Sequence, residues 1–525
     1  MREIDPRQAS PFPTSPIRGY ILASLEIGTS ANETAFWVDM IIRNPIFQIG
    51  LILLGLYAVI ALFSPNVAYD RLPELVPILI FVGLYAVAGI AMIVLLRALK
   101  TSQNSMAPTP ATLVASMIAV GLFARLIMLG STPILEDDWL RYLWEGGLNT
   151  QGLNPAAISP AQVVGLECTG PNSAPPTDDI KRAAQFSFEH GEFAAQVAYP
   201  CLTTIYPRGA QTAFQIAHYM HPFSLSAWRL LLILVDLGAL FLMVKSLSIF
   251  RLSPLWASLY WWNPIIILEG HNSAHMDILL APIFAGLVLA VFTQRKLLAA
   301  ISLGLAVSIK IWPILLTPLI VPTLWRRKIS LSFLKENSKS LAIFSAVISA
   351  ISAYALFPLA YQMINADSGL SAYATTWQKN SFLFPLILEA LYYVTQEAET
   401  LARLSVASII IGLTLFLALI ANTPKQLPRY SAVIIAALIL LAPAGYPWYA
   451  IWFLIFLPYA SFIGKPAIGY LFLCTMMPLY YLRFPLAITD QTPLFNNYIA
   501  PLEFGLPILV LIICFFTERN QHEGA

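Results

Sequence analysis

Long apolar stretches, separated by short polar segments, run along nearly the whole chain. Many of them are about 17 to 22 residues long, the length that an α-helix needs to cross a hydrocarbon core about 30 Å thick. Backbone groups inside a bilayer must be hydrogen-bonded within the structure, as they are in a helix. The pattern therefore predicts an all-α polytopic membrane protein with about 12 to 14 transmembrane helices.

The bounds of these stretches also predict how the chain is organised. We expect a cytoplasmic N-terminal segment over residues 1–45, a helical bundle over 46–517 and a cytoplasmic tail over 518–525. The candidate spans are residues 46–63, 76–97, 111–130, 225–248, 254–270, 277–293, 297–309, 312–325, 340–359, 401–421, 431–446, 448–463, 467–483 and 500–517.

The composition supports the same class of protein. Of the 525 residues, 58% are hydrophobic and 11% are charged, and the mean hydropathy is +0.71, values far from those of an ordinary soluble fold. The formal net charge is only +2 and the basic residues are scattered over short loops, so we expect no nucleic-acid partner. The N-terminal stretch has no compact apolar core and does not resemble a signal peptide.

Charge predicts the orientation of the bundle. Lys and Arg gather in alternate connections, which the positive-inside rule assigns to the cytoplasm. The opposite, extracytoplasmic side holds the longest connection, residues 131–224, which is rich in Pro, Asn, Asp and Gly and predicts a soluble subdomain. Cys168 and Cys201 both lie in this loop, and an oxidising compartment would allow them to form a disulfide.

The large loop begins with "EDDWLRYLWEG", residues Glu136 to Gly146. If residues 135–147 are helical, Asp138, Arg141 and Glu145 share one face of the helix. One interpretation is a solvated helix start, with Asp137 or Asp138 as the cap and Arg141 as a local ion partner. The other is that one aspartate is a general base held near Arg141.

The stretch "DDWLRYLWEGGLNTQGLNP" resembles the signature of bacterial polyprenyl-phosphate-mannose-dependent mannosyltransferases, although those usually read WDG where this chain reads WEG. The resemblance continues in order through "IYPRGAQTAF", "WWNPIIILEGHNSAHMD", "SIKIWPILLTP" and "YPWYAIWFLIFLP". It implies a GT-C fold, an inverting transferase and a catalytic aspartate in an outer loop. It favours Asp138 as the base, with Asp137 as the second candidate.

Further polar residues are candidates for binding the donor. In "EGHNSAHMD" the resemblance implies that Asn272 and His275 belong to the donor pocket; the alternatives are a metal site with His271 and His275 at i, i+4, or a plain polar turn. Lys310 lies between two short apolar stretches, where it either binds a lipid phosphate or snorkels to the membrane surface.

The motif "IYPRGAQ" supplies two more candidates. Arg208 either binds the same anion as Lys310 or marks loop geometry set by its neighbours Pro207 and Gly209. Tyr206 and Arg141 are also candidate substrate-binding residues under the resemblance. The motif "GYPWYAIW" is interpreted as an aromatic belt at the membrane interface, or as a stacking platform for a sugar or lipid.

Taken together, the sequence predicts a multi-pass glycosyltransferase of the bacterial inner membrane. It would move a sugar, mannose by resemblance, from a polyprenyl phosphate to a lipid-linked or glycan acceptor on the extracytoplasmic side, without cofactor or metal. Its partners would be these substrates and membrane lipids. The alternatives are a transporter or flippase, with Asp236 in a span as its best functional residue, and a non-catalytic scaffold.

Overall fold

The computed structural model describes residues 43–103, 109–168, 177–191, 193–360, 362 and 368–523. The regular secondary structure of this part of the chain is helical, without a β-strand, which confirms the all-α polytopic fold. Most of the predicted N-terminal segment 1–45 lies outside the described residues.

Eight helices of the described part are long and apolar enough to cross a membrane. A ninth crossing is formed if the two helices Ile266–Asn272 and Met276–Phe292, which meet at 105°, count as one bent pair. The eight helices are Pro45–Val67, Leu75–Ser102, Ala111–Leu129, Leu225–Ile249, Ser338–Ala360, Ala398–Ile420, Pro466–Ile488 and Thr492–Glu518.

Shorter helices account for most of the difference from the twelve to fourteen spans predicted. Four of them are apolar and have 10 to 17 residues: Lys296–Ile309, Trp312–Trp325, Leu383–Tyr392 and Gln426–Leu441. The others outside the large loop are Pro254–Ala257, Ser258–Trp261, Leu331–Glu336, Gly369–Thr375, Pro447–Ala450, Ile451–Leu454, Leu457–Tyr459 and Ala460–Ile463.

Three of the predicted span assignments are wrong. Residues 254–270 and 277–293 do not form separate straight spans, because the chain breaks into the bent pair between them. Residues 448–463 do not form one continuous span, because residues 447–463 form four short helices that are interrupted at residues 455–456. Buried core segments are as apolar as membrane-crossing ones, so hydropathy alone does not separate the two.

Polar residues fix where the long helices begin. The Asn44 side chain accepts a hydrogen bond from the Ile46 amide at 2.9 Å, and Pro45 occupies the first helical position. Ser224 caps the helix Leu225–Ile249 through the Ala227 amide at 3.2 Å. These caps satisfy amides that have no partner within the helix.

The large outer loop is itself helical. Its helices pack around a small apolar core that includes Trp144, Leu148 and Phe186. Cys168 and Cys201 form a disulfide with a Cα–Cα distance of 5.8 Å, as the sequence allowed. The helices of this loop are Asp138–Thr150, Pro160–Val164, Asp178–Glu189, Phe193–Gln196 and Arg208–Met220.

The bent pair opens at residues 273–275, which we call the helix break. Ala274 has a φ of +59°, in the left-handed region that a non-glycine residue rarely adopts. Its carbonyl accepts a hydrogen bond from the Trp228 indole at 2.8 Å, and the Arg229 guanidinium donates to the Asn272 carbonyl. Both donors lie on one long helix, and they satisfy backbone groups that the break leaves unpaired inside an apolar bundle.

The helix break is also joined to the segment that leads into the acidic motif. Arg229 donates to the Ser131 carbonyl at 2.7 Å. The Asn272 amide donates to the Ser131 hydroxyl at 2.6 Å and to the Thr132 carbonyl at 2.8 Å, and its oxygen accepts from the Ile134 amide at 3.0 Å. The break and the start of the large loop are therefore held as one unit.

We expect Asn272→Ala to destabilise this unit strongly. The substitution leaves buried partners at Thr132 and Ile134 unsatisfied, which costs about 2 kcal/mol or more. The exposed Asn66, whose amide makes a single hydrogen bond at 3.1 Å, is the matched control, and Asn66→Ala should change stability by less than about 0.5 kcal/mol. Thermal unfolding of the purified protein in detergent measures both variants, and equal stabilities would contradict the assignment.

Candidate active site

A cavity of about 870 Å³ lies beside the helix break, within the described residues. Its charged lining comes from Glu136, Asp137 and Asp138, which we call the acidic segment, together with Arg141, Lys310 and Arg403. The remaining lining is almost entirely aromatic and aliphatic. The cavity therefore combines titratable groups with a large apolar surface, as ligand sites commonly do.

The acidic segment is shaped by a tight turn. Leu135 has a φ of +55°, and the Glu136 amide donates to the Ile134 carbonyl at 2.7 Å. The helix consequently begins at Asp138, three residues later than predicted, with Asp137 at the cap position. The Asp137 side chain makes no capping hydrogen bond, so the interpretation of Asp137 as a helix cap is not supported.

Asp138 lies where the acidic segment meets the helix break. Its side chain is 35% exposed, and its Oδ2 atom lies 3.7 Å from Nδ1 of His275 and accepts a 3.4 Å contact from the Tyr142 hydroxyl. Burial among the cavity walls, with a further contribution from the charge of Asp137, raises the pKa of Asp138 to about 6. The carboxyl is therefore largely ionised at pH 7 and able to accept a proton.

The three acids differ in their environments. Burial raises the pKa of Glu136 well above its usual range, and one of its carboxyl oxygens has no hydrogen-bond partner among the described residues. Burial also raises the pKa of Asp137. Burial thus raises the pKa of all three carboxyls, and shifted pKa values of this kind cluster at functional sites. Among the three, Asp138 combines an accessible side chain with a pKa near neutrality.

Arg141 ties the acidic helix to an outer segment, residues 198–202, which we call the strap. Its guanidinium donates to the carbonyls of Ala198 at 2.7 Å, Tyr199 at 3.0 Å and Leu202 at 3.1 Å. It also lies 3.5 Å from Glu145 one turn on. Most of its donors are thus committed, and Arg141 forms one wall of the cavity rather than an ion pair with Asp138.

Lys310 lies at a true break in the chain. It has an extended backbone between the helices Lys296–Ile309 and Trp312–Leu316, as expected from the two short apolar stretches. Its side chain is 17% exposed, and its ammonium lies 2.8 Å from the Asp277 carboxylate. Gly209 allows the loop helix to approach, because a Cβ there would lie 2.6 Å from the Ser308 carbonyl oxygen. Lys310 thus faces the cavity and does not snorkel to the outside.

The Asp277 carboxylate fixes the position of Lys310. It accepts a hydrogen bond from the Trp452 indole at 2.5 Å, on the same oxygen that faces the ammonium. The ammonium also lies 5.1 Å from the ring centres of Tyr449 and Trp452. A lysine ammonium has three donors and the carboxylate takes one, so donors remain for an anion in the cavity.

The two histidines of the "EGHNSAHMD" turn face different groups. His271 lies 2.9 Å from Asp236 inside the bundle. His275 is buried, stacks on Trp448 with ring centres 4.0 Å apart, and does not line the cavity. No group of three potential ligand side chains in the described residues is arranged to hold a metal ion.

The other predicted site residues take different positions. Tyr206 lines the cavity, with its ring centre 5.5 Å from that of Tyr142. Arg208 is not part of the lining; its guanidinium lies over the Tyr354 ring at 4.5 Å. The Asn272 amide is fully engaged at the helix break and does not reach the cavity.

An aromatic wall completes the polar end of the cavity. Trp452 stacks on Tyr449 with ring centres 4.3 Å apart and on Trp312 at 4.8 Å, and Tyr446 stacks on Trp448 at 4.4 Å. The motif "GYPWYAIW" is therefore buried and lines the cavity, so its interpretation as a surface belt is wrong. Trp312 and Trp377 also line the cavity, although no sequence pattern singled them out.

The aliphatic end of the cavity reaches a membrane-crossing helix. Leu315, Val406 and Leu438 line it and belong to one apolar cluster between neighbouring helices. Ile311 and Ile411 also line it, and they are 37% and 48% exposed. The apolar lining therefore continues to the outer surface of the bundle.

The buried charges of the bundle are separate from the cavity. Asp236 accepts hydrogen bonds from Arg125 at 2.6 Å and from Tyr260 at 2.6 Å, and all three side chains are fully buried. The network also holds the Trp261 carbonyl through Arg125 at 2.9 Å. Asp236 is thus part of a paired structural cluster and does not line the cavity.

A known protein family is similar to the central part of the chain. The model of a family described as GPI transamidase subunit PIG-U matches residues 229–391, just under a third of the chain. The matched region contains the helix break, Asp277 and Lys310, but not the acidic segment. No curated protein and no solved structure matches the chain. The chain is thus a multi-pass membrane protein with a central region similar to that family.

We expect Asp138 to react with a hydrophobic carbodiimide in a pH-dependent way. The reagent attacks a protonated carboxyl, so labelling should be strong in acid and fall as the pH rises through about 6. Peptide mass spectrometry reads the labelled site, and Asp138→Asn is the control that removes it. Labelling of Asp138 that is unchanged between pH 5 and pH 8 would contradict this environment.

Proposed function

We propose that this protein is a membrane glycosyltransferase that uses a polyprenyl-phosphate sugar as its donor. One observation carries the proposal: a single cavity combines an ionisable aspartate, a lysine held for anion contact and an apolar surface that reaches a membrane-crossing helix. A lipid-linked sugar phosphate has three corresponding parts. Its anomeric carbon is attacked by an acceptor hydroxyl that the aspartate deprotonates, its phosphate is an anion for the lysine, and its hydrocarbon chain fits the apolar surface.

The reaction is a single displacement at the anomeric carbon of the sugar. Asp138 takes the proton from the acceptor hydroxyl as the acceptor oxygen forms its bond to that carbon. The bond between the carbon and the phosphate oxygen breaks, and the electron pair leaves with the lipid phosphate. One displacement inverts the configuration. A phosphate is a good leaving group, so one base is sufficient.

Lys310 stabilises the charge that develops on the departing phosphate. Its ammonium is fixed by Asp277 at 2.8 Å before the ligand arrives, so little reorganisation is needed. The nearby Trp452 and Tyr449 rings keep water away from this contact and strengthen it. A nucleotide donor is less well suited, because the described residues offer an apolar channel where a nucleoside would lie.

The apolar lining suits the lipid portion of the donor. Leu315, Val406 and Leu438 offer aliphatic contacts, and the exposed Ile411 marks an opening through which a chain can pass into the bilayer. The stacked rings of Tyr446 and Trp448 offer flat faces for the sugar. We propose an acceptor that is a glycan or a lipid-linked glycan on the extracytoplasmic side of a bacterial inner membrane, with mannose as the sugar by resemblance.

A second candidate function is a non-catalytic subunit of a membrane complex that binds a glycolipid. The observation that favours it is the match of residues 229–391 to the family named for a GPI transamidase subunit. Such a subunit would use the same cavity to hold its ligand without chemistry at Asp138. A transporter is less favoured, because its best candidate, Asp236, is paired away from the cavity.

The first test is sugar transfer from radiolabelled polyprenyl-phosphate-mannose to membrane acceptors. Asp138→Asn should lower the rate at least about a hundredfold, the low end of what a general base contributes. Asp178→Asn, in an exposed acid of the same loop, is the matched control and should leave the rate unchanged. If the wild-type protein binds the donor but does not transfer sugar, the protein is the non-catalytic binding subunit and not the glycosyltransferase.

A second test separates Asp138 from Asp137. The base must be ionised, so transfer should fall as the pH drops through about 6, where Asp138 gains a proton. The charge of Asp137 raises the pKa of Asp138, so Asp137→Asn should keep transfer and move this acid limb to lower pH. An Asp137→Asn variant that is as inactive as Asp138→Asn would make Asp137 the base.

A further inference from the structure

A buried imidazole lies between two carboxyl groups at the helix break. Nδ1 of His275 is 3.7 Å from Oδ2 of Asp138, and its Nε2 is 4.0 Å from Oε2 of Glu269. Asp138 faces the cavity, whereas Glu269 lies inside the bent pair and is fully buried. The three side chains form a row that leads from the cavity into the bundle.

His275 is unusual because neither ring nitrogen has a hydrogen-bond partner among the described residues, although the ring is fully buried. Leaving such groups unpaired is costly, and it recurs at functional sites. The ring is not free to turn away, because it stacks on Trp448 with an interplanar angle of 15°. Each nitrogen is thus directed at a carboxyl group and lies somewhat beyond hydrogen-bonding distance.

Glu269 is held at the inner end of the row. The Tyr85 hydroxyl donates to one of its oxygens at 3.0 Å, and the Tyr481 hydroxyl donates to the other at 2.7 Å. Its position is therefore set by two membrane-crossing helices. None of these three residues lines the cavity, so substrate does not explain their arrangement.

We propose that His275 is a positioning residue that orients the Asp138 carboxylate and links its protonation to that of Glu269. In the state that accepts a proton, the Nδ1–H of His275 donates to Oδ2 of Asp138. The second oxygen of Asp138 then takes the proton of the acceptor. Catalytic hydrogen bonds are often long before substrate binds, and a small movement brings the 3.7 Å contact to about 2.9 Å.

The same geometry shows how the protonation of Glu269 acts on Asp138. A neutral imidazole carries one proton, on either Nδ1 or Nε2. When Glu269 holds a proton and donates it in a hydrogen bond to Nε2, the imidazole proton stays on Nδ1 and faces Asp138. The imidazole then has no free nitrogen for a second proton. The proton that Asp138 accepts on its second oxygen is therefore released to water in the cavity, where 35% of the Asp138 side chain is exposed.

Other charged groups also act on this row and must be kept constant in a test. Lys310 faces His275 as well as Asp138, and His275 itself stays uncharged in the scheme. The charged groups acting on Asp138 are Asp137, Arg141, Lys310, Asp277 and Glu136, and Glu136 also acts on Glu269. None of them is altered by the two substitutions below.

The test measures carbodiimide labelling of Asp138 against pH in the full-length protein, comparing wild type with His275→Phe and Glu269→Gln. His275→Phe keeps the stacking on Trp448 and removes the N–H donor, so the labelling midpoint should rise by about one pH unit. Glu269→Gln removes a negative charge and donates from its amide to Nε2, which leaves the proton on Nδ1. Its midpoint should fall.

Opposite shifts identify a hydrogen-bonded link, since general loosening of the packing would move both midpoints in the same direction. Unchanged midpoints, or shifts of the same sign, would overturn the proposal. Carbodiimide labelling does not depend on sugar transfer, so the labelling midpoints test the link between His275 and Asp138 even if the proposed function is wrong. Only the role of His275 in the transfer rate rests on the proposed function. If transfer occurs, His275→Phe should lower kcat about tenfold or more at unchanged donor KM and move the acid limb to higher pH.

If His275→Phe does not fold, His275→Gln gives the decisive result. Its side-chain amide can donate to Asp138 in place of the Nδ1–H group. Labelling near the wild-type midpoint supports the link. A midpoint as high as that expected for a missing donor contradicts it.

Discussion

The arrangement of the site depends on one constraint, the hydrogen bonding of a helix that breaks inside the bundle. Backbone groups freed at the break have no water to bind and must be satisfied by protein. Trp228 and Arg229 do this at Ala274 and Asn272. The Asn272 side chain also binds residues 131–134. The hydrogen bonds that stabilise the helix break therefore also hold the chain that leads into the acidic segment next to the break.

This constraint explains how a chain poor in charge assembles a charged site. The side chains of His275 and Asp277 point in different directions from the helix break. His275 lies next to Asp138, and Asp277 forms an ion pair with Lys310. Lys310 in turn lies at a second break, so three irregular segments meet around one cavity. Irregular backbone at membrane depth is tolerated where it is buried in protein or lines a cavity, and here it does both.

The sequence predicted the parts of the site that local pattern controls. Lys310 interrupts two apolar stretches, and the acids precede a helix with amphipathic spacing, so both positions follow from hydropathy and periodicity. The orientation of a side chain that is set by tertiary contacts could not be predicted from the sequence. Arg208 and Arg141 look alike in sequence, yet one lies over Tyr354 and the other binds the strap. The left-handed turn at Leu135, which delays the acidic helix, likewise has no sequence signature such as glycine or asparagine.

The aromatic residues and His275 show the same limit. Enrichment of Trp and Tyr near apolar stretches is typical of a membrane interface, but here stacking buries them along the cavity. A histidine four residues from another is typical of a metal pair, but the break turns the two rings toward different carboxylates. In both cases tertiary contacts, and not the local pattern, determine where the side chains lie.

A structure with a non-transferable polyprenyl-phosphate sugar bound tests the proposed site most directly. We expect the phosphate to lie within hydrogen-bonding distance of the Lys310 ammonium and the anomeric carbon to lie on the side of Asp138. The lipid chain should lie along Leu315, Val406 and Ile411. A lipid bound outside this cavity, or in it with the phosphate far from Lys310 and the sugar far from Asp138, would contradict the proposed site.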